Sequence, residues 1–386
     1  MSKVYNTQEE IANNLSNLLI KIFKNNIRKT QLNIIPYIIL GIISSESTVA
    51  LDIAKNLKGD FSRVQLDSVI RRIKRLFTNK FFNPYDFYDK VIKYVLSTYK
   101  LSHSDKRIHI IFDHMFSHDN YTVFMITLRI GHQGIPLWFR CFNGKSDSNA
   151  FDETLLKEGI SYVSSLFDNS YELIFLADRW FNSSSLMQHI QDLGHTYCIR
   201  LKGNLNIELF DKKEGHNIIF PLSKLKACET KSKFFENVHI TNHNFYCNIT
   251  LGKSNDVTEP WIIATNGDPA RAIRDYGYRF GGIECVFKNQ KSNGFYMEST
   301  VKANLKYFES MYTLSSFATL FLTILGIEYS KNTKCYKKIK ITTHKFFKGI
   351  KKRVLSLFNT GLTLFNIAFN SSKYVRLPFN LILYDI

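Results

Sequence analysis

The chain has 386 residues, 45% of them hydrophobic and 22% charged, and a formal net charge of +18. That is enough chain for a sizeable core in two or three structural units, and the composition excludes wholesale disorder. The charge is uneven: residues 1–100 hold 16 Lys/Arg against 8 Asp/Glu, residues 101–300 hold 21 against 22, and residues 301–386 hold 14 against 3. Basic flanks suited to a polyanion thus enclose a slightly acidic centre suited to a metal site.

The N-terminus, MSKVYNTQEEIANN, is polar and contains no signal-peptide core. Residues 8–44 read as helical, with Pro36 interrupting or restarting the apolar run LNIIPYIILGII. Between Ser47 and Asn79 the pattern gives a helix near Leu51–Leu57, a turn near Gly59-Asp60 and a second helix near Leu66–Phe77. The second helix sets Val69, Ile73 and Leu76 on one face and Arg71, Arg72, Lys74 and Arg75 around the other. That resembles a helix-turn-helix whose basic helix enters a major groove or lies along phosphates. Asn83-Pro84 breaks the pattern before a further helix near Tyr85–Thr98.

From Lys106 the texture becomes β-rich. RIHIIFDHMF, YTVFMITLRIGH and GIPLWFRCFNG are three runs with short connections, which implies an antiparallel meander. A helix over Ala150–Leu166 follows, with Phe151, Leu155, Ile160, Val163 and Leu166 as its apolar side. Glu172–Asp178 is a nearly continuous apolar strand, as for one buried on both faces. SSSLMQHIQDLG is a helix with serine N-cap candidates, and HTYCIRLKGN returns as a strand. This order of three strands, helix, strand, helix and strand is compatible with an RNase H-like α/β core.

Strand-like runs over Gly203–Glu259 form a β-rich insertion, whose closing run WIIATN rejoins the core. Asp268-Pro269 opens a helix, and most of Arg274–Glu298 reads as helix, with Glu284, Lys288 and Lys291 on one side. Leu305–Tyr329 is an apolar helix packed on the core; its run Leu314–Ile327 is too short and too rich in Ser and Thr to span a bilayer comfortably. Residues 331–376 contain 12 Lys/Arg and no Asp or Glu. The fold class is therefore α/β: an RNase H-like central domain (105–202 and 261–300) with a β-strand insertion (203–260), flanked by helical, basic regions at 1–104 and 301–386.

Two aspartates share a setting. Asp113 closes the apolar run HIIF and Asp178 closes LIFLA. In an RNase H-like sheet these strands are neighbours. Their carboxylates would then raise each other's pKa unless a cation sits between them, and hard oxygen ligands favour Mg²⁺ or Mn²⁺. Glu284 completes a three-carboxylate set, and two metals held there would activate a water or a 3′-hydroxyl and stabilise the leaving oxygen of a phosphodiester. Arg279, Lys288 and Lys291 are phosphate candidates, Tyr276 or Tyr278 could bond a phosphate or stack on a base, and Arg179 is a further phosphate or carboxylate partner. Asp119, Asp147, Asp152 and Asp192 lie in polar turns or helices and read as caps or surface. His103, His109, His114 and His118 follow no standard zinc spacing, and Trp138, Trp180 and Trp261 read as packing residues. The six cysteines (Cys141, Cys198, Cys228, Cys247, Cys285, Cys335) form no Cys-x-x-Cys pair, which fits reduced thiols in a cytoplasmic protein.

Together FDHM, LADRWF and YGYRFGGIECVFKNQKSNGF resemble the DDE transposases of bacterial insertion sequences, in the branch named after insertion sequence four, over about residues 40–330. The resemblance implies Asp113, Asp178 and Glu284 as the metal-binding triad and a β-strand insertion between Asp178 and Glu284. It also implies DNA as partner (transposon ends and target), a homodimer in the DNA complex, no membrane, and a bacterial cytoplasmic location. The family signature runs Tyr, two residues, Arg, three residues, Glu, six residues, Lys. Glu284 and Lys291 keep that spacing, as do Tyr276 and Arg279, but Arg279 stands one residue too far from Glu284. Either Gly281-Gly282 absorbs one inserted residue, or the Tyr276 and Arg279 assignments are wrong, with Tyr278 a rival for the tyrosine. The activity implied is cut-and-paste transposition; a nuclease or resolvase without strand transfer, and a non-catalytic DNA-binding regulator, are the alternatives. Lys-to-Ala changes in 334–353 are expected to weaken DNA binding and flatten its dependence on salt; an unchanged salt slope would assign that segment another role.

Overall fold

The computed structural model describes residues 7–24, 26–57, 61, 63–99, 106–117, 121–144, 152–211, 215–226, 231–252, 259–292, 294–297, 304–332, 336, 339, 341–347, 350–370 and 375–384. The turn expected at Gly59-Asp60, and Phe151, His103, His118, Asp119, Asp147, Cys228 and Cys335, lie outside them.

The N-terminal part is helical. α1 (Gln8–Phe23) opens on a capping box, in which the Thr7 hydroxyl accepts from the Glu10 amide and the Glu10 carboxylate accepts from the Thr7 amide. After the short α2 (Lys29–Leu32), α3 (Ile35–Ser45) carries Pro36 in its first turn, where no N–H is needed. Pro36 therefore starts a helix. α4 (Ala50–Lys55) and α5 (Leu66–Phe77) pack on each other, with Val69, Ile73, Leu76 and Phe77 of α5 buried. α6 (Pro84–Ser97) is capped by the Asn83 side chain, which accepts from the Tyr85 and Asp86 amides.

Ten strands then make one sheet, in the order β3-β2-β1-β4-β5-β10-β9-β8-β6-β7. β1 (Arg107–Ser117), β2 (Tyr121–Ile130) and β3 (Gln133–Asn143) form an antiparallel meander. β4 (Glu172–Ala177) lies parallel to β1, and β5 (Thr196–Arg200) parallel to β4. Crossovers α7 (Glu153–Ser165) and α8 (Ser184–Asp192) make those parallel pairings possible. α7 starts at Glu153, capped by Asp152, and buries Leu156, Ile160 and Val163; Leu155 and Leu166 of the expected apolar side pack partly buried against the core.

The residues read as an insertion do not leave the sheet. β6 (Asn206–Asp211), β7 (His216–Pro221), β8 (Lys233–Ile240) and β9 (Phe245–Gly252) extend it, and β10 (Trp261–Thr265) bridges β9 to β5, antiparallel to both.

Neighbouring residues on β3 show how the sheet is covered. Trp138 lies under Gly159 of α7, while Phe139 packs edge-on to Tyr312 and against Tyr88 of α6, as strand alternation requires. Tyr312 belongs to α11 (Leu305–Lys331), which touches α3, α5, α6, β3, α10 (Ile283–Lys291) and the later α12 (Leu357–Asn370). α11 is long and apolar enough to cross a membrane, but its apolar window is entirely buried inside the protein. Its pairing with α12 is close. A Cβ on Gly326 would stand 1.9 Å from the Leu357 carbonyl, and one on Gly361 1.8 Å from the Leu322 carbonyl. The C-terminal region is not wholly helical, because β11 (His344–Phe347) and β12 (Ile350–Arg353) form a separate hairpin before α12.

The stretch 274–298 is not a single helix either. α9 (Pro269–Gly277) ends, five residues turn, and α10 (Ile283–Lys291) begins at Gly282. α9 is tied to the sheet by Asp275, 2% exposed, which takes Arg107 Nη2 at 3.0 Å and His109 Nε2 at 3.2 Å; Arg107 also holds Glu172 at 3.0 Å. Burial alone would raise the Asp275 carboxyl, but hydrogen bonding and charge from His109 and Arg107 outweigh it and hold the carboxyl below its usual value. A depressed carboxyl stabilises the fold above its unfolded-state pKa and ceases to as pH falls through the folded one. Asp275→Asn should therefore cost about 1–3 kcal/mol in chemical denaturation at neutral pH, since it leaves the partly buried Arg107 with Glu172 as its remaining ion-pair partner among the described residues. The gap between wild type and variant should narrow in acid, and an equal gap at pH 7 and pH 3 would contradict this.

Candidate active site

β1 and β4 run parallel in the register Arg107↔Glu172 to Ile111↔Leu176. Two residues further along each strand come Asp113, still on β1, and Asp178, just beyond β4. Asp178 caps a 3-10 turn (Arg179–Phe181), its carboxylate accepting from the Arg179 amide at 2.7 Å. Asp113 accepts from the His114 amide at 2.9 Å.

The third carboxylate comes from the other end of the chain. Glu284 sits in the first turn of α10, and the break between α9 and α10 sets that helix close to β1. Gly282 makes the approach possible, since a Cβ there would lie 2.1 Å from Ile111 Cδ1. Within the break, Arg279 points inward and its side chain is 8% exposed. Its Nη2 is bonded to Asp113 Oδ2, and its Nη1 to Glu284 Oε1 at 3.1 Å. Its Nε is buried with no hydrogen-bond partner among the described residues.

The electrostatics tie all four groups together. Burial pushes the Asp113 carboxyl above its usual value; Arg279 and His114 pull it back, and Asp178 adds to the rise. Burial likewise raises Glu284, whose side chain is 46% exposed, with Arg279 opposing and Asp113 and Asp178 reinforcing. Burial would lower the Arg279 guanidinium, but Asp113, Tyr276, Asp178 and Glu284 together raise it. Asp178 thus acts through space on Asp113, Glu284 and Arg279, although its own hydrogen bond is to the Arg179 amide.

Among the described residues no three His, Cys, Asp or Glu side chains stand in a common metal-ligand shell. The guanidinium of Arg279 lies between Asp113 and Glu284. The donor set, being all carboxylate oxygen, is of the kind that suits a hard divalent cation, and in this structure Arg279 is bonded to two of its three carboxylates.

Other expected contacts fall out differently. Tyr276 is 1% exposed and packs edge-on against Trp261 at 5.2 Å, so in this conformation it is a core residue and offers nothing to DNA. Tyr278 is half-buried, with Arg129 4.0 Å above its ring and His109 edge-on at 4.7 Å. Arg279 is engaged with carboxylates rather than presented to phosphate. Lys288 is exposed one turn after Glu284, while Lys291 is half-buried. Arg179 bonds Glu259 at 3.1 Å, and Arg200 shares that carboxylate at 2.9 Å. Arg71, Arg72, Lys74 and Arg75 are all exposed on α5.

His109 is spent on Asp275 and His114 sits against Asp113, so these two histidines serve separate partners. The described cysteines are Cys141, Cys198, Cys247 and Cys285, all free thiols. Trp180, read as packing, is 40% exposed at the lip of the site with its ring 4.8 Å from His114. Its position two residues after Asp178 was the available signal.

No family model matches the chain, and no curated protein matches it. Among solved structures it is similar to the cryo-EM structure of a piggyBac transposase synaptic complex with hairpin DNA. The TM-score is 0.47 at 13% sequence identity, covering 94% of this chain and 78% of that one. At that score the superposition is loose and carries no functional weight.

Proposed function

We propose that this chain is a DDE-type DNA transposase: a polynucleotidyl transferase that cuts DNA at the ends of an insertion sequence and joins the freed 3′-hydroxyl to target DNA. The observation that carries the reading is the convergence of Asp113, Asp178 and Glu284 from the ends of two adjacent parallel strands and a distant helix, around a buried positive charge. The half-sheet β3-β2-β1-β4-β5, antiparallel then parallel with crossover helices, supports reading residues 105–202 and 261–300 as an RNase H-like core. Residues 203–260 are then its β-strand insertion, and 1–104 and 301–386 its basic flanks.

Asp113, Asp178 and Glu284 would hold Mg²⁺ or Mn²⁺, with two ions expected. Such ions lower the pKa of an attacking water or hydroxyl and stabilise the leaving oxygen. The chain's own part is to bring the carboxylates together and to hold them while no divalent ion is bound. Arg279 does the holding: it neutralises oxygens that would otherwise repel one another in a partly desolvated place. Arg279 and a divalent cation therefore compete for the same oxygens. Once displaced, its guanidinium is free to take a phosphate oxygen of the incoming strand. Lys288, exposed beside Glu284, and Lys291 supply further positive charge along the strand's path, and Trp180 supplies a partly exposed ring near Asp178 for a base. Two such sites acting on two DNA ends imply a homodimer in the DNA complex. No membrane is needed, and a cytoplasmic, nucleoid-associated protein fits.

A second reading is favoured by one observation. Arg279 already satisfies Asp113 and Glu284, as in a DNA-binding regulator derived from a transposase that has lost its chemistry. An assay on duplexes carrying the DNA that flanks the coding region, with a supercoiled target and Mg²⁺, separates these. Transposition predicts joined donor–target products, and Asp113→Asn, Asp178→Asn and Glu284→Gln should each lower product formation by about 10²–10³-fold, the usual cost of removing one transition-state stabiliser. Cut but unjoined products would indicate a nuclease or resolvase. Identical behaviour of wild type and all three variants would support the regulator.

A further inference from the structure

A second feature lies in the N-terminal helices, away from the carboxylates. Between α2 and α5 runs a cleft of about 410 Å³, a size that accommodates a nucleotide. On its α5 wall Arg72, Arg75 and Leu76 follow one another at helical spacing, so two guanidinium groups share one face, and Asn79, just past the end of α5, adds an amide to the lining. Asn33 stands on the α2 side, and Phe61 closes one end with Arg72 5.9 Å from its ring. The stretches 11–45 and 68–85, which supply most of the lining, contain no Asp or Glu; the nearest acids in sequence are Asp60 and Asp67, the latter in the first turn of α5. Among the described residues neither Arg72 nor Arg75 has an ion-pair partner.

Beside the cleft is an aromatic ring held out to solvent. Phe81 is 55% exposed, yet its backbone is fixed on both sides. Its N–H donates to Asn79 Oδ1 at 2.9 Å, and its carbonyl accepts from Gln31 Nε2 at 3.0 Å, both residues of the cleft wall. Arg28 lies over the ring at 3.9 Å and Lys80 at 5.0 Å. An isolated exposed Phe needs no explanation. One that is pinned, flanked by two cations and adjoining a cleft with two further unpaired cations has the make-up of a site where a base stacks and its phosphate is neutralised.

We propose that this cleft binds unpaired DNA: the phosphate on Arg72 and Arg75, the base stacked on Phe81, with Asn33 and Asn79 within the cleft to bond the base edge or sugar. Duplex DNA would meet the same arginines through its phosphates, but its paired bases could not reach the Phe81 ring. The proposal rests on the DNA-binding part of the function proposed above. It assigns α5 two different faces, with Arg72 and Arg75 serving single strands and Arg71 and Lys74 lying outside the cleft.

The test is fluorescence anisotropy with the full chain, labelled dT12 and a labelled 20-base-pair duplex, in EDTA, so that the carboxylate site does not contribute. Arg72→Ala/Arg75→Ala should weaken dT12 binding about tenfold or more, against threefold or less for Arg71→Ala/Lys74→Ala, a comparison that holds the number of removed charges equal. Phe81→Ala, and Phe81→Leu as a version that keeps an apolar side chain, should weaken dT12 binding by about five- to a hundredfold and leave the duplex within twofold. Thermal melts confirm that each variant is folded. Equal losses from the two double variants, unchanged dT12 affinity in both Phe81 variants, or no dT12 binding by wild type would each overturn the proposal. A failure of the cleavage and joining assay leaves this result standing, because no divalent ion enters it.

Discussion

Two carboxylates at neighbouring ends of parallel strands cannot be brought together without a positive charge. Asp113 and Asp178 are in that position because β1 and β4 run side by side, and a buried acid left unpaired costs several kcal/mol or gives up its charge. In this chain the charge is Arg279, and much of the local architecture serves to deliver it. The helix that would otherwise run through residues 274–298 stops after Gly277 and resumes at Ile283. Gly282 lets the break lie against Ile111, and the guanidinium reaches Asp113 and Glu284 together. The same break turns Tyr276 into the core beside Trp261.

That delivery needs a rigid frame on either side. Asp275, one turn before Arg279, anchors α9 to β1 through Arg107 and His109, and Arg107 reaches across to β4 through Glu172. α10 in turn rests on β3 and α11. α11, about 40 Å long at 1.5 Å per residue, links the N-terminal helices, the sheet and α12. Its fit to α12 through Gly326 and Gly361 leaves no room for even a methyl group. The carboxylate site is therefore framed by the sheet, α9 and α10, while α5 packs on α4 and α11 and carries its basic residues on its exposed side.

Much of this was legible from residues alone because it depends on local pattern. Strand-like runs with short connections over 107–143 specify a meander. The amphipathic period over Leu66–Phe77 specifies a helix of those limits, and an apolar run ending in Asp places Asp113 on β1, past the stretch that pairs with β4, and Asp178 just beyond β4. What was not legible depends on partners distant in sequence. Helical periodicity continues through 274–298, so nothing local shows that Gly281-Gly282 ends one helix path and starts another. Arg279 was read as a phosphate ligand because an arginine near acids can face either inward or outward, and only the position of β1 decides. Tyr276 failed for a related reason: an aromatic on a short helix looks the same whether it packs or projects. The hairpin β11–β12 was hidden in a run of lysines whose charge, rather than its alternation, dominated the reading.

On the function proposed above, Arg279 and a divalent cation occupy the same carboxylate oxygens in turn. The most direct measurement is a titration of the DNA-free chain with Mn²⁺, followed by electron paramagnetic resonance, for wild type and Arg279→Gln. Removing the resident charge should tighten Mn²⁺ binding by about 5- to 150-fold, the span of an ordinary coupling free energy, and adding Asp113→Asn to that variant should abolish the gain. Equal Mn²⁺ affinity in wild type and Arg279→Gln, with both proteins folded, would contradict the account.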